Sequence, residues 1–344
     1  MANPWRKALS SFLSIVLVAG LLPCASFYGS AWASDAEGEA SASDSTRVEE
    51  ASSASDAAQA SESTQLAAVA QPTDSTQLAI AAQSSTETLP FGNTISAAGE
   101  NHSAAITENG ELWTWGRNSE FQLGYSSSDD NNSYTNKLMD NVASVALATN
   151  FSAAVKNNGE LWTWGWNYKG VVGNEDMSTP RGFAPAKLMD DVVSVSLGYL
   201  HAAAIKRDGS LWMWGDNSHG ELGNGTTNDS GNYMPVKIMD NVVAVSLGIG
   251  DDADNPGYSA AIKRDGSLWM WGDNSHGQFG NGTTEGSTVP VKVMDGVSSV
   301  SLGLAHAGVI MQDGSLWTWG WNIYGQLGNG TTEDSSVPVK VMDD

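Results

Sequence analysis

The pentapeptide Leu-Trp-x-Trp-Gly occurs five times in this chain of 344 residues, beginning at Leu112, Leu161, Leu211, Leu268 and Leu316. The first tryptophans of successive copies, Trp113, Trp162, Trp212, Trp269 and Trp317, lie 49, 50, 57 and 48 residues apart. A period near that length defines a repeat architecture, because one unit cannot bury its own apolar face and must stack on the next.

Each copy reads as four strands. In the third, residues 192–197 (Val-Val-Ser-Val-Ser-Leu) are mostly β-branched and bounded by Gly198, which marks a strand. Residues 201–206 form the second strand and run into Asp208-Gly209; residues 211–214 form the third. Along that third strand Trp212 and Trp214 share one face and Leu211 and Met213 the other. Residues 235–239 make the fourth, and Pro235, which cannot donate to a ladder, places it at an edge. The turn between strands two and three is Asn-Gly or Asp-Gly in every copy (Asn109-Gly110, Asn158-Gly159, Asp208-Gly209, Asp265-Gly266, Asp313-Gly314), which predicts a type I′ hairpin. Five such units without a helical pattern between them predict an all-β fold, a β-propeller. Paired alanines on the second strand (Ala104-Ala105, Ala153-Ala154, Ala203-Ala204, Ala260-Ala261) suit crowded inner strands, and the tryptophans are expected to fill the space between blades.

The N-terminal part reads differently. Arg6 and Lys7, an apolar run over residues 12–22 and Ala31-Trp32-Ala33 have the form of a secretory signal peptide over residues 1–33. The run is shorter than the roughly 20 residues that cross a bilayer, so no membrane span is expected in the mature chain. Leu21-Leu22-Pro23-Cys24 resembles a lipobox, with Pro23 a poor fit. Cleavage after Ala33 removes Cys24, the one cysteine, and with it any disulfide. Residues 34–88 are mostly Ala, Ser, Thr, Gln and acids, with one base, Arg47, and no aromatic residue, a composition that cannot offset chain entropy and predicts a disordered linker. The propeller is expected over residues 89–344, which carry 29 acids and 13 bases. So acidic a surface disfavours nucleic acid.

Three linked motifs carry a family resemblance. They are Val-x-Val-Ser-Leu-Gly-x-x-His-x-Ala-Ala-Ile from Val193, Asp-Gly-x-Leu-Trp-x-Trp-Gly from Asp208, and Asn-Ser-x-Gly-x-Leu-Gly from Asn217. Together they resemble the RCC1 (regulator of chromosome condensation) repeat family, whose propellers usually have seven blades. With five repeats visible, the expectation stays open between a small ring, an open arc and a truncated seven-bladed propeller. The resemblance implies guanine-nucleotide exchange for nuclear members. For secreted bacterial members, of the β-lactamase inhibitor protein II type, it implies capture of an enzyme by loops on one face. The signal peptide and acidity fit the second group, and no exchange-factor residue is carried over.

In a four-stranded up-and-down blade the loops after strands one and three share a face. On that face the copies diverge. Asn is constant at the second position after strand three, while its neighbours switch between charged residues and large aromatics. Candidate partner-binding residues are therefore Arg117 and Phe121, Trp166, Tyr168 and Lys169, Tyr199 and Leu200, and Trp321, Ile323 and Tyr324. Loop aromatics without a repeat-wide packing role suit a protein-binding face; the alternative is that Trp166 and Trp321 cover their own blade edges. Asp251, Asp252 and Asp254 match no Ca²⁺-loop spacing and read as a solvated insert. His102, His201 and His306 recur at the start of strand two, where Phe151 and Tyr258 replace them in the other copies, as in a packing or hydrogen-bonding slot rather than a metal site. No nucleophile–base pair, phosphate loop or catalytic carboxylate pair is present, so neither enzymatic activity nor a cofactor is expected. The expectation is an exported, secreted or cell-surface protein that binds an extracellular protein partner, with an adhesive module binding glycans as the alternative.

Overall fold

The computed structural model describes residues 95–126, 130–173, 181–250 and 257–343. The expected signal peptide and linker, and residues 251–256 of the acidic insert, lie outside the described residues.

Among the described residues, twenty strands form five antiparallel sheets, each from four strands consecutive in the chain. Blade 1 is β1 (Ile95–Ala98), β2 (His102–Ile106), β3 (Leu112–Arg117) and β4 (Asn131–Met139). Blade 2 is β5 (Val142–Leu147), β6 (Phe151–Lys156), β7 (Leu161–Trp166) and β8 (Arg181–Met189). Blade 3 is β9 (Val192–Leu197), β10 (His201–Lys206), β11 (Leu211–Asn217) and β12 (Asn228–Met239). Blade 4 is β13 (Val242–Leu247), β14 (Tyr258–Lys263), β15 (Leu268–Gly272) and β16 (Ser287–Met294). Blade 5 is β17 (Val297–Leu302), β18 (His306–Met311), β19 (Leu316–Gly320) and β20 (Ser335–Met342). Helical structure among the described residues is one 3-10 turn, Tyr168–Gly170. This is the all-β propeller architecture the repeats predict.

Blades stack in chain order, with β2 against β5, β6 against β9, β10 against β13 and β14 against β17. The paired alanines allow this approach: Ala203 and Ala204 are fully buried and sit opposite Met213 and Trp212 in the register of β10 with β11. The two tryptophans of each motif do different work. The second is the inter-blade wedge: Trp164, Trp214, Trp271 and Trp319 are fully buried. Their indole N–H groups donate to carbonyls of the preceding blade, at Gln122 (2.9 Å), Val171 (2.8 Å), Glu221 (2.8 Å) and Gln278 (2.7 Å). Each ring needs a glycine beneath it. A Cβ on Gly223 would lie 2.8 Å from the Trp271 Nε1, which accounts for the Leu-Gly ending of the third motif. The first tryptophan stays half-buried, and on blades 2, 3 and 4 the lysine that ends strand two covers it, with Lys156 Nζ 4.5 Å from the Trp162 ring, Lys206 Nζ 5.0 Å from that of Trp212 and Lys263 Nζ 4.7 Å from that of Trp269, a cation–π contact.

The hairpins stand where the sequence places them, but their turn is not type I′. Gly209 has φ +82, whereas Asp208 has no positive φ. The Gly209 N–H donates to the Lys206 carbonyl at 2.8 Å, and Lys206 N–H donates to the Ser210 carbonyl at 2.9 Å. That is a three-residue loop, a type I turn followed by a left-handed glycine. On blade 3 the acid reinforces it: Asp208 Oδ1 accepts from both the Ser210 N–H (2.9 Å) and its hydroxyl (2.6 Å), and the same loop forms on blades 1 and 2 with Asn109 and Asn158 in that position. Strands three and four of blade 3 also run beyond their expected ends, since Asn217 pairs with Asn228 across two register shifts.

Candidate partner-binding face

The loop after each third strand is held from within by its constant asparagine. Asn118, Asn167, Asn217, Asn274 and Asn322 are all buried. Each Oδ1 accepts the backbone N–H five residues on, at 3.0 Å from Leu123, 3.0 Å from Val172, 3.1 Å from Leu222, 2.8 Å from Phe279 and 2.9 Å from Leu327. On blades 3, 4 and 5 the Nδ2 donates onward to the Thr226, Thr283 and Thr331 carbonyls. A buried amide with both ends satisfied fixes a loop. The asparagine both opens the turn, its carbonyl accepting the N–H three residues on (2.9 Å from Gly277 to Asn274, 2.8 Å from Gly325 to Asn322), and braces the loop from within, and it frees its neighbours to vary.

Those neighbours gather into two clusters. At blade 2, Trp166 stacks on Tyr168 with ring centroids 4.9 Å apart and planes 12° apart. Tyr168 is 47% exposed, and Lys169, at φ 58, sets its Nζ 5.9 Å from the Tyr168 ring and 3.5 Å from Asp216 Oδ1 of blade 3. At blade 5, Trp321 meets Tyr324 edge-on at 5.5 Å and the His276 imidazole of blade 4 at 5.6 Å. Tyr324 is 73% exposed and Ile323 50%. The remaining candidates sit elsewhere. Arg117 is exposed and donates from Nε to Ser119 Oγ at 2.8 Å. Phe121 is half-buried at φ 60. Leu200 packs against the core shared by blades 2 and 3, and Tyr199 is half-buried. Asp216, His276 and Asp334 belong to the clusters although sequence reasoning passed over them. Their contacts cross between loops or between blades, and a per-copy comparison carries no signal for that.

Beneath this face the strand-two histidines join blades. His102 Nε2 lies 2.9 Å from Ser152 Oγ, which donates to the Gln122 carbonyl at 2.8 Å. His201 Nε2 lies 3.2 Å from Ser259 Oγ, which donates to the Glu221 carbonyl at 2.8 Å. Burial pushes both imidazoles down to about 4; for His201, Asp216 and a Tyr258 backbone bond pull weakly the other way. Burial also raises the Glu221 carboxyl. Where Tyr258 replaces histidine, its hydroxyl donates to the His306 carbonyl at 2.6 Å. The slot is one of packing and hydrogen bonding, as its residue types imply.

A family model for the RCC1-like domain matches residues 60–343. The chain belongs to the RCC1-like domain family. Solved structures superpose on it. A human protein, WBSCR16, is 23% identical over 74% of this chain and 70% of its own, with a TM-score of 0.62. Yeast RCC1 (Prp20), crystallised with Kap60, is 22% identical over 73% of this chain and 62% of its own, also at 0.62. Prp20p of Saccharomyces cerevisiae, described with its binding to Gsp1p and histones, is 23% identical over 72% and 63%, at 0.61. Identity at this level establishes the RCC1-like fold, and the chain spans less than two thirds of either yeast structure. No curated protein sequence matches the chain.

Proposed function

We propose that this RCC1-like propeller is a non-enzymatic, exported protein that captures an extracellular protein partner through the loops after its third strands. One observation carries the reading. A buried asparagine braces the same loop in all five blades, and on blades 2 and 5 the freed positions hold aromatic rings, with Tyr168 and Tyr324 well exposed. Such rings supply area at little entropic cost and dominate protein interfaces. A structural neighbour, yeast RCC1, is itself seen bound to a protein, Kap60. The leader-like N-terminus supports export.

Capture of a partner from medium or cell-surface extracts by the immobilised chain tests this. Trp166→Ala and Trp321→Ala are each expected to weaken retention by about 2 kcal/mol, roughly thirty-fold, while the far-ultraviolet spectrum and melting point stay near wild type. Lys156→Ala, on the opposite side of blade 2, is expected to leave retention unchanged. Loss with Lys156→Ala and silence from both tryptophan variants would place binding on the other face.

A further inference from the structure

The basic residues of blades 4 and 5 are spent away from the loop face. Lys292 pairs with Asp295 at 2.7 Å, Lys340 pairs with Asp343, and Lys263 covers Trp269. The loops after their third strands hold Asp273, Glu285, Glu333 and Asp334, and among the described residues no lysine or arginine. Set among these acids are the exposed Tyr324 and the half-buried Trp321 and His276. Asp334 is fixed beside them, accepting the Asn322 N–H at 2.6 Å through Oδ1, with Oδ2 3.9 Å from His276 Nδ1.

Blade 2 shows what such a group accommodates. There the equivalent tryptophan, Trp166, backs Tyr168, and the Lys169 ammonium lies between that ring and the Asp216 carboxylate. Three residues after Trp321 the lysine of blade 2 is replaced by Tyr324, so blade 5 has the ring and the carboxylate without the cation. We propose that the loop face of blades 4 and 5 receives a lysine or arginine side chain of the protein partner, held against Trp321 and Tyr324 and paired with Asp334. The proposal rests on the reading of this face as partner-binding and gives that partner a basic surface. An ammonium over an indole with a carboxylate alongside is attracted by both the ring quadrupole and the charge.

The probe is a short peptide carrying four lysines, titrated calorimetrically against the 344-residue protein at low ionic strength, with the same peptide fully acetylated as control. The unmodified peptide is expected to bind and the acetylated one not. Trp321→Ala and Asp334→Asn should each weaken binding about ten-fold, and Trp321→Phe less than Trp321→Ala. Asp140→Asn, which removes an acid from the opposite face, should have no effect. Equal binding of the two peptides, or equal loss from Asp140→Asn, would overturn the proposal, since attraction would then be absent or unlocalised. If Trp321→Ala abolishes partner capture but the lysine peptide does not bind, the face stands and the basic partner is wrong.

Discussion

A single indole N–H decides how each blade meets the one before it. Trp271 donates to the Glu221 carbonyl, which also accepts Ser259 Oγ, itself in contact with His201 Nε2. Each atom in this chain is buried, so each depends on its neighbour, and leaving one unpaired costs on the order of 1–3 kcal/mol. The imidazole is the member that can acquire a charge. Its folded-state value is depressed from 6.5 to about 4, as is that of His102. In the unfolded chain these rings bind protons as pH falls below 6.5, whereas in the folded chain they resist until about 4. Stability is therefore complete above 6.5 and is lost between 6.5 and about 4, by roughly 2–3 kcal/mol for each ring. Glu221, raised by burial, opposes this in the lower part of the window. Asp208, Asp265 and Asp313 have carboxyls lowered by their serine hydrogen bonds, and lose their contributions only below the usual aspartate value. Urea midpoints measured at pH 7.5, 6.0, 5.0 and 4.0 should fall across the series; a flat profile would mean the histidines are hydrated.

At the level of the hairpin the two turn residues separate cleanly. Gly209 holds φ +82 and a Cβ there would meet Asn241 Cα at an ordinary 3.5 Å, so a substitution is penalised by backbone conformation rather than by crowding. Gly209→Val should cost about 2 kcal/mol. Asp208→Ala gives up the bonds to Ser210 on an exposed turn and should cost about 1 kcal/mol. Thermal melts of both variants would show the order, and an aspartate effect equal to or larger than the glycine effect would restore the type I′ turn. The strands and hairpins were legible because glycine, β-branched runs and alternation are local signals. The turn type was not, because Asn-Gly and Asp-Gly occur in both hairpin classes, and blades 1 and 2, with Glu111 and Glu160 after the glycine, form the same three-residue loop as the Asp-Gly-Ser copies. The same limit applied to the loop face. Trp166, Tyr168, Trp321 and Tyr324 stood out by diverging from their counterparts. The packing of His276 of blade 4 on Trp321 of blade 5 depends on stacking between repeats, which no single copy encodes.

Across the whole propeller the four joints between successive blades follow two patterns in alternation. Blades 1–2 and 3–4 meet through histidine and serine, His102 with Ser152 and His201 with Ser259. At the other two joints the histidine and serine positions hold Phe151 with Ala202, and Tyr258 with Ala307, and all four of these residues are buried. The pairing makes physical sense. A ring nitrogen buried against alanine has no partner, and an aromatic ring against a serine hydroxyl removes one of that hydroxyl's partners. Joint 3–4 should therefore tolerate conversion to the other pattern only as a pair. His201→Phe alone and Ser259→Ala alone are each expected to cost about 1–3 kcal/mol. The double variant, which reproduces the residues of joint 2–3, should be less destabilised than the sum of the two, with a coupling of about 1–2 kcal/mol. It should also lose the part of the acid sensitivity that belongs to His201 while keeping that of His102. The readout is equilibrium unfolding of the four proteins at neutral pH and again near pH 5. Strict additivity at neutral pH would show that histidine and serine contribute independently, and the alternation would then have no role in matching one blade to the next.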